Sequence, residues 1–82
     1  MERKEIFDKV KNIIKEEFDD DSLDISEKTV AADVEEWDSL AQLSIIHEVE
    51  KTFKIRFSIN EIKGFRNVGE MLDCISERMK KA

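Results

Sequence analysis

Trp37-Asp38-Ser39-Leu40-Ala41-Gln42-Leu43-Ser44-Ile45-Ile46-His47-Glu48-Val49-Glu50-Lys51-Thr52-Phe53 reads as the end of a loop running into a helix. Leu40, Leu43, Ile46, Val49 and Phe53 recur at steps that line one helix face. Asp38 stands just ahead of them and is a good N-cap type, because its side-chain oxygen reaches a free N–H of the first turn. A helical wheel places Ala41, Ser44, Glu48 and Lys51 together on the opposite, polar side.

Upstream, Ile6, Phe7, Val10, Ile13, Ile14 and Phe18 form an apolar stripe on a helix over residues 2–18. Lys and Glu fill its other face, several of them four apart, which adds weak ion-pair support. The like-charged run Asp19-Asp20-Asp21 ends that helix. A long connection follows, with Ile25, Val30, Val34 and Trp37 as scattered apolar anchors that pack it across the bundle. Loops of this length inside a compact domain are uncommon and often functional.

Downstream, Ile55 and Phe57 follow a charged break at Lys54. Ser58 and Glu61 match the Ser-x-x-Glu capping box and start a short helix that ends at Gly64. Asn67 and Glu70 repeat the offset. Val68, Met71, Leu72, Ile75 and Met79 then make the last apolar stripe, with Lys80 and Lys81 where a helix C-terminus favours cations. The expected fold is all-α: three main helices and one short helix, with a long loop between the first and second helices. Residues 1–82 make one domain.

The length and composition agree. A chain of 82 residues buries only about 60% of its unfolded surface, so a deep walled active site is hard to build. Apolar residues at 40% and charged residues at 41% suit a thin bundle with a solvated exterior. Pro is absent and Gly occurs twice, which favours long helices. The net charge of −6 argues against nucleic acid and anionic lipid as partners. It favours encounter with a basic enzyme surface, or serves solubility alone. No run is apolar enough for membrane insertion, and Met1-Glu2-Arg3-Lys4-Glu5 does not begin a secretory leader. The expected state is a monomer in the cytoplasm.

Ser39 is a hydroxyl in the first turn of a helix, so a phosphoryl group attached there would sit in the field of unpaired backbone N–H groups. By position alone, capping is the favoured reading of Asp38 and Ser39, since both are common cap types. Nucleophilic catalysis by Ser39 has little support: His47, the one histidine, lies about two turns further along, and no Gly-x-Ser-x-Gly elbow is present. Asp19, Asp20, Asp21 and Asp24 lack the glycine and terminal glutamate of a calcium loop. Cys74, the only cysteine, reads as a small packed residue with no basic neighbour placed to activate it. Met71 and Met79 read as core fillers.

Residues 33–53, Asp-Val-Glu-Glu-Trp-Asp-Ser-Leu and the apolar helix after it, resemble the attachment region of acyl carrier proteins. Phe53-Lys54-Ile55-Arg56-Phe57 resembles that family's turn out of the second helix, and Asn67-Val68-Gly69-Glu70-Met71 the start of its last helix. The resemblance covers essentially the whole chain. It implies a carrier and not an enzyme, with 4'-phosphopantetheine attached covalently to Ser39 and an acyl group held on it as a thioester. It implies that Asp38 helps the phosphopantetheinyl transferase and its metal, and that Leu40 contacts partners. Those partners would be the transferase and the acyl-loading and acyl-using enzymes.

Trp37 stands where the fatty-acid synthesis members carry glycine-alanine type residues. Ala41, Ser44 and Lys51 stand where they carry acidic ones. Trp37 resembles carriers of specialised biosynthetic pathways, and the missing acidic residues argue against the housekeeping fatty-acid carrier. Two alternatives are an aminoacyl or peptidyl carrier, such as a D-alanyl carrier, and a helical interaction module that bears no arm.

Overall fold

The computed structural model describes residues 2–81, the side chain of Lys81 excepted, so the role expected of Lys81 lies outside the described residues. The architecture is all-helical, as the sequence periodicity implies. Four α-helices follow in order: α1 at Arg3–Glu17, α2 at Ser39–Phe53, α3 at Ile59–Gly64 and α4 at Val68–Lys81. A 3-10 turn at Ala31–Asp33 interrupts the long α1–α2 connection.

The core is the meeting of three stripes. Ile6, Val10 and Ile14 of α1 are fully buried at four-residue steps. Ile45, Ile46, Val49 and Phe53 of α2 and Val68, Met71, Leu72 and Ile75 of α4 close on them. α1 packs against both α2 and α4. Ile25 and Val34 bury themselves in or beside this core, while Val30 is only half-buried and Trp37 packs from its edge.

Each helix end has a local cause. Phe18 closes α1, and Asp19 then turns in the left-handed region at φ 49°. Lys54 closes α2 in the same conformation, and the Glu50 carboxylate accepts the Phe57 N–H at 2.8 Å, fixing the turn into α3. Ser58 and Glu61 form the expected capping box. At α4, Asn67 Oδ1 accepts the Glu70 N–H, whereas the Glu70 carboxylate reaches the N–H of Arg66. Two more N–H groups of that end donate to the long loop, Val68 to the Thr29 carbonyl at 3.0 Å and Gly69 to that of Glu27 at 2.7 Å. A Cβ on residue 69 would meet the Glu27 carbonyl oxygen at 3.0 Å, so any larger residue would have to push the loop backbone away by a few tenths of an ångström. The long loop is therefore anchored by its backbone as well as by its apolar side chains.

The register of α2 differs from the sequence expectation at its N-terminal end. Leu40 and Leu43 are 77% and 53% exposed, while Ala41 is buried at 8%. Apolar residues occupy two faces of this helix, and the row Ala41, Ile45, Val49, Phe53 wins the core by its four-residue steps. A small Ala at the crowded start lets α2 approach its neighbours. Ala41, Ser44, Glu48 and Lys51 are thus not one solvent-facing surface: Ala41 is inside, and the Ser44 hydroxyl donates to Glu17 of α1 at 2.6 Å.

Candidate functional site

Asp38 is the N-cap of α2, with extended backbone, and its Oδ1 accepts the Ala41 N–H at 2.9 Å. The Gln42 N–H donates to the Asp38 carbonyl at 2.9 Å, and the Asp38 N–H donates to the Glu36 carbonyl at 3.0 Å. The N–H groups of Ser39 and Leu40 remain as the unpaired donors of the first turn. Capping by Asp38 also leaves the Ser39 side chain uncommitted: it is exposed, and its hydroxyl bonds to no described residue. The two residues that looked interchangeable as caps therefore have separate roles. Asp38 holds the helix end and Ser39 stands free on it.

Ser39 lines a cavity of about 630 Å³ between α2, α3 and the long loop. Trp37, Leu43, Ile59, Ile62, Phe65 and Met71 give it a mainly apolar wall. Trp37 is fixed there from two directions. Its Nε1–H donates to Gln42 Oε1 at 2.7 Å, and its ring lies 5.8 Å from that of Phe18. Phe65 is braced edge-on against Phe57 at 5.3 Å between ring centres. The charged residues at this cavity are Asp38, Lys63 and Arg66.

Leu40 is the most exposed large apolar side chain described, as its expected contact role requires. Leu43 and Ile59 are exposed on the same side, and both border the cavity. Ile59, Lys63 and Arg66 were not singled out by sequence. The available signal was an isoleucine directly after the capping Ser58, at a first helical position with no core neighbour to meet.

His47 is exposed on α2, as expected for a helix-edge residue. Cys74 is half-buried, and its thiol donates to Glu61 Oε2 at 3.0 Å. Burial and that carboxylate push the thiol up to about 11. A basic neighbour is present after all: Arg78, paired with the same Glu61, pulls the thiol down, but burial and the carboxylate outweigh it. Among the described residues no cluster of His, Cys, Asp or Glu is placed to hold a metal, the aspartates after α1 included. No helix of the described residues is long and apolar enough to cross a membrane.

A family model described as the phosphopantetheine attachment site matches residues 8–75. The fold is similar to the solution NMR structure of the holo acyl carrier protein from Geobacter metallireducens, with a TM-score of 0.84 and 32% identity over 90% of this chain and 85% of that one. No curated protein sequence matches the chain. The chain belongs to the phosphopantetheine-attachment family of carrier proteins. It is a non-catalytic carrier with a covalent 4'-phosphopantetheine group, and it serves the phosphopantetheinyl transferase and enzymes that handle acyl groups. The arm-free interaction module is thereby set aside. The residues present fit such a group: an unbonded, exposed hydroxyl sits beside two free backbone N–H donors and opens onto an apolar cavity.

Proposed function

We propose that Ser39 is the covalent anchor of the arm and that the whole chain, residues 1–82, works as one monomeric acyl carrier domain in the cytoplasm, in a specialised biosynthetic pathway. When bound, the phosphopantetheine group supplies a flexible tether ending in a thiol that holds acyl groups as thioesters. The chain's own residues do the rest. Asp38 fixes the start of α2 with Oδ1 and keeps Oδ2 without a partner among the described residues, open to the transferase and its metal. The N–H groups of Ser39 and Leu40 favour a phosphate at Ser39, by about 0.3–1 kcal/mol at an exposed helix start. Leu40 gives partners an apolar contact close to the anchor, and long-range attraction through α2 counts for less.

The observation that carries this reading is the division of labour at the helix start. A serine that capped the helix would be unavailable, whereas Ser39 is free because Asp38 caps. The apolar wall of the cavity supports acyl over aminoacyl cargo. The departures at Trp37, Ala41, Ser44 and Lys51 support a pathway other than fatty-acid synthesis.

The test is modification followed by mapping. The protein is incubated with coenzyme A and a broad-specificity phosphopantetheinyl transferase, weighed intact, and fragmented. A gain of one phosphopantetheinyl group located at Ser39 is expected. A group found on Ser22, Ser44 or any other residue would refute the assignment.

A further inference from the structure

The charges around the cavity run against those of the chain. The protein is acidic at −6, yet residues 51–66 hold five cations, Lys51, Lys54, Arg56, Lys63 and Arg66, against one anion, Glu61. That carboxylate is already taken by Arg78, the Cys74 thiol and the Ser58 N–H. The Lys63 ammonium and the Arg66 guanidinium are exposed and form no ion pair with a described carboxylate, the Glu70 carboxylate bonding the Arg66 backbone N–H, and both residues line the cavity that begins at Ser39. The one acidic residue lining it among the described residues is Asp38, whose Oδ1 caps α2, so the two cations outnumber its single negative charge at the cavity. An acidic chain with twenty carboxylates has thus placed two unpaired cations beside an otherwise mainly apolar cavity.

We propose that the cavity selects an acyl group bearing a second, anionic end: its methylene segment lies on the apolar wall, and Lys63 and Arg66 of the α3 side receive a terminal carboxylate. This rests on Ser39 as the anchor. The cargo class is then the monothioester of a dicarboxylic acid. Two exposed cations give modest, salt-screened attraction, so discrimination is severalfold and not absolute. The arm's own phosphate is the other tethered anion available. Attached to Ser39, it would be favoured at the α2 start by the free N–H groups of Ser39 and Leu40.

The full chain is loaded with coenzyme A, octanoyl-coenzyme A or suberyl-coenzyme A by a broad-specificity transferase, and intact mass verifies each product. Cleavage of the two thioesters by hydroxylamine is timed, each relative to the same acyl group on free coenzyme A. Backbone and side-chain NMR shifts of Lys63 and Arg66 are recorded for all three forms. The suberyl form is expected to be protected about twofold to tenfold more than the octanoyl form at low salt. High salt, or the double variant Lys63→Gln with Arg66→Gln, should erase that margin, and Lys63 and Arg66 should shift only in the suberyl form. Equal or better protection of octanoyl overturns the proposal. So does a margin that survives the double variant, or shifts already complete in the unloaded arm, which would assign the cations to the phosphate. Absence of any mass gain would instead remove Ser39 as the anchor, and the inference with it; the mass alone separates that failure from the others.

Discussion

The side of the molecule around Arg3 and Arg78 and the side around Ser39 use similar residues in opposite ways. Arg3 donates to Glu27 and Asp73 at 2.6 Å each and to the Gly69 carbonyl at 3.3 Å, tying α1 to the long loop and to α4. The Glu27 and Asp73 carboxylates raise its pKa above the usual guanidinium value. Arg78 pairs with Glu61, which also takes the Cys74 thiol and the Ser58 N–H, tying α4 to α3. Around Ser39, by contrast, the hydroxyl, the Lys63 ammonium and the Arg66 guanidinium have no described partner, and Leu40, Leu43 and Ile59 stand exposed. Where a surface only holds the fold, its polar groups satisfy one another. Where it must meet something else, it leaves donors and apolar area open.

The largest effect expected lies beneath both sides. Phe53 is buried at the end of α2, and Phe53→Ala should cost about 3–5 kcal/mol. That is a large share of the roughly 5–10 kcal/mol that a domain of this size holds. A denaturation midpoint that does not move would mean that Phe53 is outside the core.

The paired side should answer in stability alone. Arg3→Ala removes two exposed ion pairs, so a loss of about 1 kcal/mol is expected, shrinking with added salt. Transferase loading of the same variant should match that of the native chain. A variant that unfolds normally but loads poorly would break the division between the two sides.

The pH profile tests the Glu61 cluster. Arg78, and after it Cys74 and the Ser58 backbone, lower Glu61 from 4.5 to about 2. A depressed carboxyl contributes stability above its unfolded value, so that contribution is lost as pH falls from 4.5 to about 2. Cys74 runs the other way. Its pKa is raised from 9.0 to about 11, so the folded state holds the proton more tightly and stability falls as pH rises through that window. In denaturant titrations across both windows, Cys74→Ala should flatten the alkaline edge. An unaltered alkaline edge would detach the thiol from the cluster.

The smallest stability change belongs to the open side. Leu40→Ala combined with Ile59→Ala should move the midpoint by less than about 0.5 kcal/mol per site, because both side chains are exposed. The same pair should lower kcat/KM of acyl-using partner enzymes severalfold, since it removes contact area beside the anchor. Unchanged partner kinetics would make their exposure incidental.

Much of this was legible in residue spacing. The steps of Ile6, Val10 and Ile14 and of Val68, Leu72 and Ile75 give their faces directly, because polar residues fill the other sides of those helices. Asp38, Ser58 and Asn67 mark helix starts by side-chain chemistry that acts within a few residues. The beginning of α2 was not legible in the same way. Leu40, Ala41, Leu43 and Ile45 offer two apolar rows, and only contact with α1 decides that Ala41 goes in and Leu43 stays out. The cavity, and the approach of Lys63 and Arg66 to Ser39, depend on how the α2–α3 turn folds back. A turn fixed by the Glu50 carboxylate on the Phe57 N–H leaves no periodic trace in the sequence. Cys74 reads as a lone packed thiol until Glu61 and Arg78 are seen beside it.

The central claim is that Ser39 anchors the arm while Asp38 holds the helix, and Ser39→Ala separates the two roles. The variant is treated with coenzyme A and a broad-specificity phosphopantetheinyl transferase, then weighed intact and unfolded beside the native chain. A midpoint within about 0.5 kcal/mol of native is expected, because an exposed hydroxyl with no bond is removed. No gain of mass is expected either, because Ser22 and Ser44 lack the Asp-Ser-Leu setting and the Ser44 hydroxyl is committed to Glu17. A phosphopantetheinyl group found on the Ser39→Ala protein would contradict the central claim.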